Sequence, residues 1–252
     1  MRNSQQEVLG KVPEVTLVFW LIKIAATTLG ETGGDAVTMS MRLGYLAGTG
    51  IFAVIFLVAI SAQVRARRFN PALYWTTIVA TTTVGTTLAD FMDRSLGIGY
   101  AGGTTILSVL LIISLVSWYR SLGTISVASV NSPKPEMFYW ITIMFSQTLG
   151  TALGDWTADS AGLGYSGGVI LFLALLALIA AAYFATRISR TLLFWAAFIL
   201  TRPLGAVVGD FLDKPLNAGG LDLSRYSASA GLAAFMLVCI LVLPQPAAKR
   251  AH

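Results

Sequence analysis

The chain has 252 residues, of which 56% are apolar and 12% charged, with a formal net charge of +5. A soluble core cannot use so much apolar surface, which excludes an ordinary water-soluble domain. Basic patches interleaved with aromatics are absent, so the net charge reads as membrane topology and attraction to anionic lipid, not nucleic-acid binding.

Runs of about 20 mainly apolar residues predict eight transmembrane helices, roughly 14–37, 45–64, 72–92, 100–119, 137–157, 165–186, 191–212 and 226–244. The stretch before the first is polar, and that helix carries Lys23 and Glu31, unlike the apolar region of a cleavable signal. The longest connections, Arg120–Glu136 and Lys214–Arg225, are too small for a soluble catalytic domain. The lone cysteine, Cys239, gives neither a disulfide framework nor a thiolate metal cluster. One polytopic all-α domain is predicted.

Charge placement sets an orientation. The termini and the loops from even to odd helices hold Arg2, Lys11, Arg65, Arg67, Arg68, Arg120, Lys134, Arg187, Arg190, Lys249 and Arg250. The other side holds Arg42, Arg94, Lys214 and Arg225. Both termini are therefore expected in the cytoplasm.

Each odd helix repeats one pattern: Phe19-Trp20…Gly30…Asp35, Tyr74-Trp75…Gly85…Asp90, Tyr139-Trp140…Gly150…Asp155 and Phe194-Trp195…Gly205…Asp210. The fixed spacing marks an internal repeat, with copies at approximately 14–68, 69–120, 134–188 and 189–246. Two helices per copy make all four enter the membrane the same way round. That predicts pseudo-fourfold parallel symmetry about the membrane normal, unlike an inverted repeat. The longer middle interval, with Ser-rich Ser121–Pro135, leaves two halves of two repeats as the variant. The aromatic-Trp pairs read as interfacial anchors.

Steps of three or four back from each Asp trace a polar stripe. Glu31, Thr86, Thr151 and Ala206 lie four before it; Thr27, Thr82, Gln147 and Arg202 eight before; Lys23, Ile78, Ile143 and Phe198 twelve before. Thr38, Asp93, Asp159 and Asp213 follow it, the three acids at an outer entrance. Lipid cannot face such a stripe cheaply, so the stripes should converge inside the bundle. The even helices open with Gly44-Tyr45…Gly48, Gly99-Tyr100…Gly103 and Gly164-Tyr165…Gly168, spacings that allow close helix approach. The fourth copy lacks this turn and carries the insertion Lys214–Arg225, which reads as a lid or a partner contact.

The stripe offers carboxylates, hydroxyls and an amide, the ligands of hard cations. It points to manganese, magnesium or calcium, or to sodium and protons, with Asp35, Asp90, Asp155 and Asp210 as ligands. Glu31, Thr86, Thr151 and Gln147 are further oxygen donors, with Lys23 and Arg202 as counter-charges and Glu31 paired to one of them. The competing reading is static ion pairing with Arg42, Arg94, Lys214 and Arg225, which the third repeat resists because 156–163 contains no Lys or Arg. Gly164–Gly168 spells a serine-nucleophile signature, but the only histidine, His252, ends the chain and leaves no base for it. Thr83-Val84-Gly85 is like a potassium filter, but it lies within a span and in one repeat only.

The aromatic-Trp pairs, the Leu/Val-Gly-x3-Gly/Ala-Asp runs at 29–35, 84–90, 149–155 and 204–210, and the Gly-Tyr turns resemble bacterial four-repeat membrane proteins. That family is known as a repeat of unknown function. The resemblance covers about 14–244, implies a bacterial inner-membrane location and supplies no catalytic residues. The expectation is a transporter of inorganic cations with no cofactor and no enzymatic activity, its partners the lipid bilayer and the ion or proton. The alternative is a scaffold or sensor whose buried acids are structural.

Overall fold

The computed structural model describes residues 10–248, so Arg2, Lys249, Arg250 and His252 lie outside the described residues. Eight α-helices follow in four pairs: α1 (Leu17–Asp35) and α2 (Gly44–Arg65), α3 (Pro71–Asp90) and α4 (Gly99–Leu122), α5 (Pro133–Asp155) and α6 (Gly164–Ala185), α7 (Arg190–Asp213) and α8 (Arg225–Val242). Local chemistry starts them. Thr16 and Asn70 cap α1 and α3 by accepting from the backbone N–H of Phe19 and Leu73, and Pro71 and Pro133 supply helix-ready backbone at the first position.

The odd helices form a closed inner ring, α1 against α3, α3 against α5, α5 against α7 and α7 against α1. Each even helix packs outside, on the odd helix that follows it, and α8 returns onto α1. Five helices, α2, α4, α6, α7 and α8, are long and apolar enough to cross a membrane. The eight spans read from the sequence thus reduce to five by this measure. The buried polar stripes dilute the hydropathy of α1, α3 and α5, while the outer helices carry the exposed apolar surface.

The repeated glycines explain the ring. The residue eight before the Asp of one helix lies on the glycine of its neighbour: Thr82 on Gly30, Gln147 on Gly85, Arg202 on Gly150 and Thr27 on Gly205. A Cβ on Gly85 would stand 3.0 Å from the backbone nitrogen of Thr148, and one on Gly150 the same distance from that of Pro203. Backbones this close leave no room for a methyl group. The Gly-Tyr turns divide the work between their two glycines. Gly44, Gly99 and Gly164 adopt positive φ of 76°, 73° and 64° with open space around them, so they serve the turn. Gly48, Gly103 and Gly168 are the close-packed ones, against Thr38, Asp93 and Val207.

The two ends of the ring differ. At the end carrying the aromatic-Trp pairs, here the Trp end, Pro13 pairs antiparallel with Ala247, and Lys11 donates its backbone N–H to the carbonyl of Val130. Val12, Val127, Val130 and Ala248 join Phe19, Tyr74, Trp75, Tyr139, Trp140 and Trp195 in one apolar core. The aromatic pairs are therefore mostly core residues and not interfacial anchors, because this strap and the 123–132 connection cover them. Trp75, Trp140 and Trp195 are buried, leaving Trp20 half-exposed. Lys11 clamps the strap to the bundle through a 2.7 Å ion pair with fully buried Glu136. At the Asp end, α1, α3 and α5 each widen into a five-residue π-helical turn directly after Asp35, Asp90 and Asp155, whereas α7 stays α-helical to Asp213.

Candidate cation site

The four stripes meet on the ring axis. At its centre Arg202 donates from both terminal nitrogens to Oε2 of Glu31, at 3.0 Å each. It also donates to the hydroxyls of Thr86, at 2.6 Å, and Thr151. Thr86 lies 3.3 Å from the same carboxylate oxygen. One residue from each inner helix thus converges here: Glu31 from α1, Thr86 from α3, Thr151 from α5 and Arg202 from α7. Ala206 occupies the fourth position of this layer, and Arg202, four residues before it on α7, supplies the polar group there.

Toward the Asp end the four repeated carboxylates join through two cations. Arg94 spans Asp90 and Asp155, at 3.1 Å to each. Lys214 spans Asp210 at 2.8 Å and Asp35 at 3.3 Å. Arg225 pairs with Asp213 at 2.8 Å and approaches Asp35 at 3.7 Å. The basic partner of Asp155 thus comes from the preceding repeat and not from its own loop. Arg42 makes no ion pair among the described residues.

Two groups of three carboxylates lie close enough to share a cation: Glu31, Asp155 and Asp210, and Asp35, Asp210 and Asp213, each with ligand oxygens within 4.8 Å of one another. These ion pairs form three sets, which the closeness of Glu31, Asp155 and Asp210 brings together, and in all six carboxylates face four basic groups. Oδ1 of Asp35, Oδ1 of Asp213 and both oxygens of Asp90 have no hydrogen-bond donor, because the Arg94 contact to Asp90 is poorly directed. The cluster has spare acceptors and two more acids than bases.

At the surface of this network, burial pushes the carboxyl of Asp93 up to about 6 against the opposing pull of Arg94. Burial alone would lower Lys214, but Asp210 and Asp35 outweigh it and hold its ammonium protonated.

Two residues expected at the site stand apart, Gln147 as a ligand and Asp159 at the entrance. Gln147 sits one turn nearer the Trp end, fully buried, and neither amide atom has a hydrogen-bond partner. Its backbone lies in the tight contact with Gly85, which fixes it below the carboxylates. Asp159 is exposed, and Ala158 takes the buried place beside it. Lys23 does not pair with Glu31. Its ammonium is buried 4.2 Å above the ring of Phe198, a turn below the level of Gln147. Two tyrosines of the Gly-Tyr turns belong to the site as well: Arg94 donates to the hydroxyls of Tyr45, at 2.9 Å, and Tyr100, at 3.1 Å. Their constant place, ten residues after Asp35, Asp90 and Asp155, was the available signal.

One family model, described as Repeat of Unknown Function (DUF347), matches the chain four times, over residues 18–69, 73–124, 138–189 and 193–244. No curated protein and no solved structure matches.

Proposed function

The chain belongs to that repeat family, and from this premise we propose that it is a transporter of inorganic cations, most suited to a divalent metal such as manganese. All eight helices cross the membrane as a pseudo-fourfold array, with both termini in the cytoplasm of a bacterium and the Asp end on the outer side of its inner membrane. The observation that carries the reading is the cluster of six carboxylates and four basic groups between the centre of the ring and its Asp end. A buried excess of negative charge needs a compensating cation or protons. Carboxylates and threonine hydroxyls suit a hard divalent ion.

In this mechanism Asp35, Asp90, Asp155 and Asp210 gather the ion, with Asp93 and Asp213 at the entrance. Glu31 and Arg202 close the axis beneath them. An arriving cation competes with Arg202 for Oε2 of Glu31, so binding loosens the contact that blocks the path. Farther in, Lys23, Ile78, Ile143 and Phe198 fill the axis, all fully buried. Beyond them Tyr74 and Tyr139 join hydroxyl to hydroxyl at 2.6 Å. Release to the cytoplasm requires this second barrier to part, as alternating access demands.

One observation favours a second reading. Arg94 and Lys214 each bridge two of the repeated Asp residues, as structural clamps of a non-transporting scaffold or sensor would. Flux of manganese, calcium, magnesium and sodium into proteoliposomes separates the two. The transport reading expects a selective flux that a folded Asp90→Asn/Asp155→Asn variant loses. No flux of any of the four ions through folded wild type would leave the scaffold.

A further inference from the structure

A cavity of about 610 Å3 opens on the flank of the ring at the Trp end, between α1, α6 and α7. It exists because α6 leaves the bundle there: beyond Phe172 none of its residues is buried. Helix α4 closes the equivalent place. Nineteen residues after its opening glycine α4 carries Trp118, fully buried against Tyr139 and Trp195. At the same register α6 carries Tyr183, which is 42% exposed.

The groove walls are apolar, among them Leu17, Trp20, Leu173, Leu176 and Ala177. Polar groups gather toward one end. Ser126 is buried, lines the groove, and its hydroxyl has no hydrogen-bond partner. Arg190 also lines it, with its guanidinium 4.1 Å from the Tyr183 ring and donating to the Tyr183 carbonyl. No carboxylate pairs with Arg190 among the described residues, unlike Arg94, Arg202, Lys214 and Arg225. A long apolar slot ending at an unpaired cation and an unused hydroxyl is complementary to an amphiphile with an anionic head.

We propose that this groove binds an anionic glycerophospholipid, one acyl chain lying between α1 and α6 and its phosphate meeting Arg190 and the Ser126 hydroxyl. The inference rests on the membrane reading of the chain and is independent of cation transport. A lipid here replaces the side chain that α4 provides for itself, and wedges α6 to the α1–α7 pair.

The test is native mass spectrometry of the full chain in detergent, offered equal amounts of phosphatidylglycerol and phosphatidylcholine with matched acyl chains. Wild type is expected to retain one phosphatidylglycerol, preferred about fivefold, the order set by one basic residue at a membrane surface. Arg190→Gln should bring the preference near unity while a lipid still binds. Ala177→Trp, which fills the slot, should lose both lipids. Wild type without a headgroup preference, or an unchanged preference in Arg190→Gln, would overturn the proposal even if Ala177→Trp fails to fold. So would full lipid retention by folded Ala177→Trp, or a chain dimer that Ala177→Trp abolishes, which would give the groove to a second copy. Absence of ion flux in the same preparation sinks only the transport reading.

Discussion

The guanidinium of Arg202 and the carboxylate of Glu31 meet on the ring axis, with both terminal nitrogens of the arginine directed at one oxygen, Oε2, at 3.0 Å. Both residues are buried, Arg202 completely. Each pays a desolvation cost that only the other, with the Thr86 and Thr151 hydroxyls, offsets.

Removing one partner strands the other. Glu31→Gln is expected to destabilise the protein by roughly 3–5 kcal/mol, because Arg202 is left charged and unpaired. Adding Arg202→Met should recover more than half of the loss. Thermal unfolding in detergent of the two single variants and the double variant checks this. A double variant no better than the singles would mean that the pair does not act as a unit.

The close helix contacts give a second expectation. Gly150→Ala places a methyl group against the Arg202 side chain and the backbone of Pro203, and should cost several kcal/mol or block accumulation. Gly50→Ala, at a helical site with nothing within 4 Å, should be neutral or stabilising by up to about 1 kcal/mol. Comparison of melting temperature and yield distinguishes them.

Arg94 tests the role of the acids. Arg94→Gln frees Asp90 and Asp155 of their shared cation, so manganese should bind about tenfold more tightly if the acids are ligands. Isothermal titration measures this directly. Unchanged affinity with a lowered melting temperature would favour the scaffold.

The pH dependence follows from Asp93, whose carboxyl is pushed up by burial to about 6 from an ordinary 3.8. A folded pKa raised above the unfolded one contributes stability that is present at low pH and lost as pH rises through 6. Without metal, the protein should therefore melt higher at pH 5 than at pH 7, and Asp93→Asn should shrink the gap. If the acids are ligands as proposed, manganese meets them in their charged form and should stabilise the protein at pH 7 and much less at pH 5. Differential scanning fluorimetry with and without manganese reads both effects.

Residue spacing made the repeats, the helix pairs and the polar stripes legible, because helical periodicity is a local property. The convergence of Glu31, Thr86 and Thr151 was legible for the same reason: lipid cannot solvate a stripe, so it turns inward. The partner of Asp155 was not, since Arg94 comes from the preceding repeat across a ring contact. Nor were the aromatic-Trp pairs, whose burial depends on a strap formed by residues from both ends of the described chain.

The sequence by itself determined eight helices in four like copies and the depth of every ionisable group along its helix, since 1.5 Å of rise per residue converts spacing into height. Only the tertiary structure decided which helices are neighbours. That choice follows from where glycines let two backbones touch, and it alone assigns Arg202 to Glu31, Lys23 to the Phe198 ring, and one arginine to two aspartates of different repeats.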